Sequence, residues 1–369
     1  MNIQRRIDEA RSRAFDWLCG MQAPEAPPGV LRSSEGHDVD AYPGMRLPAT
    51  YNGWHCLNLI QADYPVPTAR LEAVGFVNSL QNQDGFYRIP GMRERDVFKR
   101  ADQDYTWEYI NFHVTNYAFG MVVALGETPA KEFSFLSAYE TPSGFELWRQ
   151  RRLWDDPWLE GNSVVNLAAF YDYSGLRDRY QDLVSYLDAL QDPVTGYYGE
   201  DCVSSPAKLL HGMAGATHDY HLYFREGRFP PRYEQIVDST LRVATEQLEG
   251  ITSACLDIDV VDTLANLSQG AYRRTEIEGF LDRKLTALLD SQRNDGGFCD
   301  ELTGTRTFDG WPRGYSEPQG LSNCFATWFR IATIGMIEWA LYPEMRDRWT
   351  FRNTLGMGYF SPPRKEDPR

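Results

Sequence analysis

The chain has 369 residues, a formal net charge of -15, 42% hydrophobic residues and 14% aromatic residues. The apolar content is ample for a large core, and the acidic balance argues against nucleic acid or an anionic membrane as the main partner. Six scattered cysteines without a CxxC pair fit neither a disulfide framework nor a zinc cluster and read as buried free thiols.

The N-terminal segment MNIQRRIDEARSRAF is a polar amphipathic helix rather than a signal peptide. The most apolar stretch, Tyr109 to Gly126, is broken by Asn111, His113, Thr115 and Asn116, so no transmembrane segment is expected. The expected setting is cytoplasmic. Along the chain, similar turns recur: LQNQDGFY (80–87), LQDPVTGYY (190–198) and SQRNDGGF (291–298), with weaker copies near Gln22, Ser137 and Gln247. Anchors at 22, 81, 137, 191, 247 and 292 repeat at roughly 55 residues, which suits six helical hairpins.

Each unit pairs two chemistries. Helices leading into the turns are charged and amphipathic, as in RDRYQDLVSYLDAL (177–190) and RRTEIEGFLDRKLTALL (273–289). The alternating helices are poor in charge, as in YINFHVTNYAFGMVVAL (109–125), NSVVNLAAFYDY (162–173) and GLSNCFATWFRIATIGMIEW (320–339). Two such sets imply an outer ring of amphipathic helices around an inner apolar ring. The expected fold is an all-α (α/α)6 toroid, one domain over residues 1–369. Connections into the apolar helices are long (roughly 22–45, 84–107, 143–160 and 295–319), and long loops in compact domains tend to carry function. They should share one rim, at the apolar helices' N-termini.

The turns Gln81-Asn82-Gln83-Asp84-Gly85-Phe86 and Gln292-Arg293-Asn294-Asp295-Gly296-Gly297-Phe298 resemble the QxxDGGF/W repeats of the terpenoid cyclase and protein prenyltransferase superfamily. That resemblance implies a structural role for the Gln and Asp. Relatives on the same barrel include binding domains and polysaccharide-cleaving enzymes.

The segment Cys255 to Leu267, CLDIDVVDTLANL, carries three aspartates in an apolar helix. Asp259, Asp262, Thr263 and Asn266 fall at i, i+3, i+4 and i+7, on one face. Asp257 lies near the helix start, where it could act as a cap. The bland alternative is a cap with a solvated stripe. DIDVVDT is similar to the DxDD(T) motif of class II terpene cyclases, with Val260 in place of the fourth-position aspartate. The resemblance implies that Asp259 is a general acid, helped by Asp257, Asp262 or an imidazole. His211, His218 and His221 share one predicted helix, and His218 is the expected partner. With Asp259 or Asp262, these imidazoles could relay a proton or hold a metal. No cofactor is otherwise called for. A zinc-dependent prenyltransferase is rejected, because the Asp-x-Cys pair and the later His are missing.

Trp107, Trp311, Tyr315, Glu317, His211 and His37 are the candidate substrate-binding residues. The basic loop RIPGMRERDVFKR (88–100) could grip a diphosphate, although Glu94 and Asp96 partly neutralise it. The leading expectation is an enzyme resembling class II terpenoid cyclases, an isomerase or lyase acting on an apolar isoprenoid-type small molecule by protonation. The alternatives are a carbohydrate-active lyase or hydrolase with paired carboxylates on a sugar-like substrate, and a non-catalytic binding toroid. The oligomeric state is not legible.

Overall fold

The computed structural model describes residues 2–94, 103–199, 201–302, 308–309, 315–317 and 320–363. Their regular elements are helices and one two-residue antiparallel strand pair, Phe308–Asp309 with Ser316–Glu317, joined by turns and loops. The helices are α1 (Ile3–Cys19), α2 (Arg46–Leu59), α3 (Ala69–Ser79), α4 (Gln103–Ala124), α5 (Pro142–Gln150), α6 (Pro157–Tyr173), α7 (Arg177–Leu190), α8 (Pro206–Arg225), α9 (Tyr233–Gln247), α10 (Ala254–Leu267), α11 (Arg274–Ser291) and α12 (Cys324–Leu341). Four charge-poor helices begin with a polar N-cap. Asp156, Ser205, Ser253 and Asn323 each accept a hydrogen bond from a first-turn amide of α6, α8, α10 and α12.

Burial separates the two chemistries. Helices α2, α6, α10 and α12 are buried almost all round, while α7 and α9 bury one side only. Helix α2 packs on α4, α4 on α6, α6 on α8, α8 on α10, α10 on α12, and α12 on α2. The amphipathic helices sit over the seams: α3 on α2 and α4, α7 on α6 and α8, α9 on α8 and α10, and α11 on α10 and α12.

The Gln turns are built alike. Gln81 Nε2 donates to Gly85 O and Lys131 O. Gln191 Nε2 donates to Gly196 O and Pro231 O. Gln292 Nε2 donates to Gly296 O and, across the chain, to Ala10 O of α1. Each Gln therefore closes its own turn and ties it to another segment. Gly85 and Gly296 adopt φ of 91° and 101°, and a Cβ there would meet a carbonyl oxygen of Glu132 or Arg13 at 2.4 and 2.5 Å, so glycine is required twice over. After the turn, the amides of Leu31, Tyr87 and Phe298 donate to Thr50, Thr115 and Thr327 on α2, α4 and α12, each at 3.0 Å.

The third unit departs from the expected pattern. Where an amphipathic helix should precede Ser137 there is only a five-residue 3-10 turn, Ser134–Ala138. Gly126 and Pro129 follow the end of α4 and leave too little chain for a helix. Phenyl rings occupy the slot instead: Phe135 stacks on Phe86 at 3.8 Å and meets Phe170 edge-on, and Phe133 packs on Phe119.

Helices α6 and α8 approach most tightly at two glycines. A Cβ on Gly161 would lie 2.2 Å from Gly215 O, and one on Gly215 would lie 2.1 Å from Pro157 O. An alanine in a helix interior ordinarily gains about 1 kcal/mol over glycine. Gly215→Ala should instead destabilise by on the order of 1–3 kcal/mol, because the backbones must separate. Gly75→Ala in α3, where nothing lies within 4 Å, should stabilise. Urea midpoints that move in the same direction for both variants would contradict this close approach.

Candidate active centre

The three aspartates of α10 have three different surroundings. Asp257 is fully buried and bonds Lys284, Arg330 and Thr252, whose Oγ1 lies 2.7 Å away. Lys284 also donates to Leu248 O, and Arg330 to Thr252 O and Asp300 O. These bonds make Asp257 the anchor of the α10 start rather than a partner for Asp259. Two residues before Asp259 is about 200° around the helix, so the two carboxyls face different neighbours.

Asp262 faces α8. Its Oδ2 lies 2.7 Å from His221 Nε2, and its Oδ1 accepts from Asn266 Nδ2 at 2.6 Å. Burial raises its pKa, while His221 and Asn266 pull it back. One turn earlier on the same face, Asp259 is 1% exposed, and its Oδ2 has no partner among the described residues. Its backbone oxygen accepts from Thr217 Oγ1, which also meets Thr263 Oγ1 at 2.8 Å. Burial, then the charges of Asp262 and Asp257, push the Asp259 pKa well above the usual carboxyl range. That direction favours the protonated, uncharged form of the carboxyl.

The expected imidazole for Asp259, His218, is bonded elsewhere. Its Nδ1 lies 2.8 Å from Ala214 O, so it donates there. Burial and the neighbouring His221 lower its pKa to about 3. The imidazole that pairs with a carboxylate is His221, one turn further on. The matching i, i+3 spacings His218/His221 and Asp259/Asp262 are the sequence signal for that pairing.

Other polar and aromatic groups converge from the remaining helices. His55 Nε2 donates to Tyr117 O at 3.1 Å, and the ring stacks on Trp328 at 4.6 Å. Tyr117 stacks on Tyr51 and meets Trp328 edge-on. Burial holds His55 and His113 well below their ordinary pKa; His113 is also lowered by His218, and both feel Arg352. Arg352, buried, spends its donors on Asn116, Thr354, Leu355 and Met357 and lies 5.5 Å over the Tyr117 ring. Burial lowers its pKa to about 10. Nothing local in the sequence announces the convergence of His55, His113 and Arg352.

The candidate substrate-binding residues scatter. His211 is exposed, with its ring edge-on to Trp158 at 5.9 Å. Trp107 is half-buried at the start of α4. His37 and Tyr315 come together, edge-on at 5.5 Å, but both His37 nitrogens are used inside their loop, by Ser33 N and Tyr42 O. Glu317 belongs to the short strand pair. Trp311 lies outside the described residues, as do residues 95–100 of the basic loop. Arg88 in that loop is paired with Asp84 and Asn111.

Among the described residues no group of three or more His, Cys, Asp or Glu side chains is arranged to hold a metal, and no helix is long and apolar enough to cross a membrane. No protein-family model matches the chain, and none of the curated proteins matches it.

Proposed function

We propose that the chain is a single-domain (α/α)6 toroid of the terpenoid cyclase type, and that it starts cyclisation of an apolar isoprenoid-type substrate by protonation from Asp259. The observation that carries the reading is the Asp259 carboxyl: buried, with one oxygen unpartnered among the described residues and a pKa raised by its burial. A neutral acid out of water is the group needed to protonate a carbon–carbon double bond. The cycle of packing from α2 to α12 and back, and the bond from Gln292 to α1, support the toroid. Trp328, Tyr117 and Tyr51 supply π faces suited to a passing carbocation. Six free cysteines fit a reducing compartment such as the cytoplasm.

Asp262 bears on the glycan alternative. Two acids for glycoside cleavage would have to flank the scissile bond, whereas this carboxylate is committed to His221 and Asn266 on the same helix face as Asp259.

The test is turnover of squalene, farnesyl diphosphate and geranylgeranyl diphosphate in deuterated water. The expected product is cyclic and carries one solvent deuterium on carbon. Inertness toward all three, with cleavage of an oligosaccharide panel, would replace this reading by the glycan one.

A further inference from the structure

Resting on the cyclisation reading, we infer that His221 is the base that ends the reaction, with Asp262 and Asn266 as its positioning residues. The argument begins with hydrogen bonds. His221 is fully buried, and its Nε2 meets Asp262 Oδ2 at 2.7 Å. A carboxylate only accepts there, so Nε2 carries a proton, and in the neutral ring the lone pair then lies on Nδ1. That Nδ1 is itself buried without a partner among the described residues. Asn266 holds the other Asp262 oxygen and fixes the carboxylate behind the ring.

Two buried atoms, one on α10 and one on α8, are thus without partners among the described residues, and Asp262 links the two helices. Asp259 Oδ2 is the acid end and His221 Nδ1 the base end, and Asp262, one turn from Asp259, touches His221. Leaving either buried atom unbonded costs free energy. An alkene neither donates nor accepts a hydrogen bond, so such groups would find partners only as the reaction proceeds. His218 is the neighbouring imidazole, yet no carboxylate bonds it among the described residues, and its Nδ1 is bonded to Ala214 O. A cation formed on His221 faces Asp262, while one formed on His218 would face His221. The Tyr359 ring packs edge-to-face with the His221 ring, their centroids 5.7 Å apart.

The steps balance. The Asp259 proton adds to a terminal carbon of the substrate double bond, whose π pair becomes the new C–H bond and leaves a tertiary cation. An internal π pair closes the ring and moves the cation. A C–H bond next to the final cation then breaks; its electron pair becomes the product double bond, and its proton goes to the lone pair on His221 Nδ1. The product is an isomer of the substrate. The protein ends with the proton moved from Asp259 to His221, and its return resets the site.

The experiment compares wild type, His221→Phe and Asp259→Asn on the same three isoprenoid probes, following substrate loss and product identity separately. His221→Phe keeps a ring but cannot take a proton. It should consume substrate within about tenfold of wild type, while the wild-type alkene falls at least about tenfold in proportion. Alcohols from water capture, or alkenes deprotonated elsewhere, should replace it. His221→Gln serves the same comparison if the Phe variant does not fold. Asp262→Asn should give a mixture between the two profiles. An unchanged product profile from a folded His221 variant overturns the base and leaves the acid standing. A wild type inert to every probe overturns the cyclisation reading and the base with it. Independently of substrate, nitrogen NMR of histidine-labelled protein should show His221 protonated on Nε2 only; a proton on Nδ1 would also overturn the proposal.

Discussion

Asp257→Asn is expected to lose about 3–5 kcal/mol of stability, a large part of the total for a domain of ordinary stability. Asp257, Lys284 and Arg330 are all buried, and one carboxylate serves both cations. An amide nearly preserves the shape but leaves two positive charges in the interior without the carboxylate that both of them bond. Lys284→Met in the same chain should recover part of the loss, because it removes one of the stranded charges. Urea unfolding of the two single variants and the double variant checks this. A loss below about 1 kcal/mol for Asp257→Asn would mean that the charges relax into water and that this cluster does not anchor α10.

Asp259→Asn should do the reverse. The raised pKa favours the protonated carboxyl in the folded protein, so an amide replaces it with little change in size, and the melting temperature should stay close to that of the wild type near pH 4 and rise above it at higher pH. Activity should fall at least about a hundredfold, the lower end of what a positioned acid contributes. A folded, fully active Asp259→Asn would remove the acid from the mechanism. A variant that both unfolds and loses activity would make Asp259 a structural residue like Asp257. The contrast matters because the two aspartates are two positions apart in one short stretch of sequence.

That stretch shows where local pattern stops being informative. The 3.6 period placed Asp259, Asp262, Thr263 and Asn266 on one face, and Asp262 and Thr263 do meet α8 together. The partners of Asp257 are not local: Lys284 is on the next helix and Arg330 on α12, and no period links them. Choosing between His218 and His221 depended on how α8 slides along α10, which a single helix cannot reveal. The two helix chemistries and the Gln turns were legible because each repeats and each has a local cause. The missing third amphipathic helix was not, because Phe133 and Phe135 fill its place through contacts with distant rings. His37 and Tyr315 were read as separate loop residues, and only the folded loops bring them into contact.

The central claim, a protonated Asp259 inside the folded protein, is testable without knowing any substrate. Its folded pKa is raised, so between about pH 4 and that pKa the native state holds a proton that the unfolded chain has released. The contribution of this carboxyl to stability is therefore fully present below about pH 4 and lost as pH rises toward the folded pKa. Other titrating groups, including His55, His113 and His218, are shared by wild type and Asp259→Asn, so they cancel in the difference. The measurement is urea unfolding of both proteins at a series of pH values from about 4 upward. The account predicts that the Asn variant gains on wild type by on the order of 1 kcal/mol per pH unit across that window. A difference that stays flat with pH would show that Asp259 titrates alike in the folded and unfolded states, and would contradict the account.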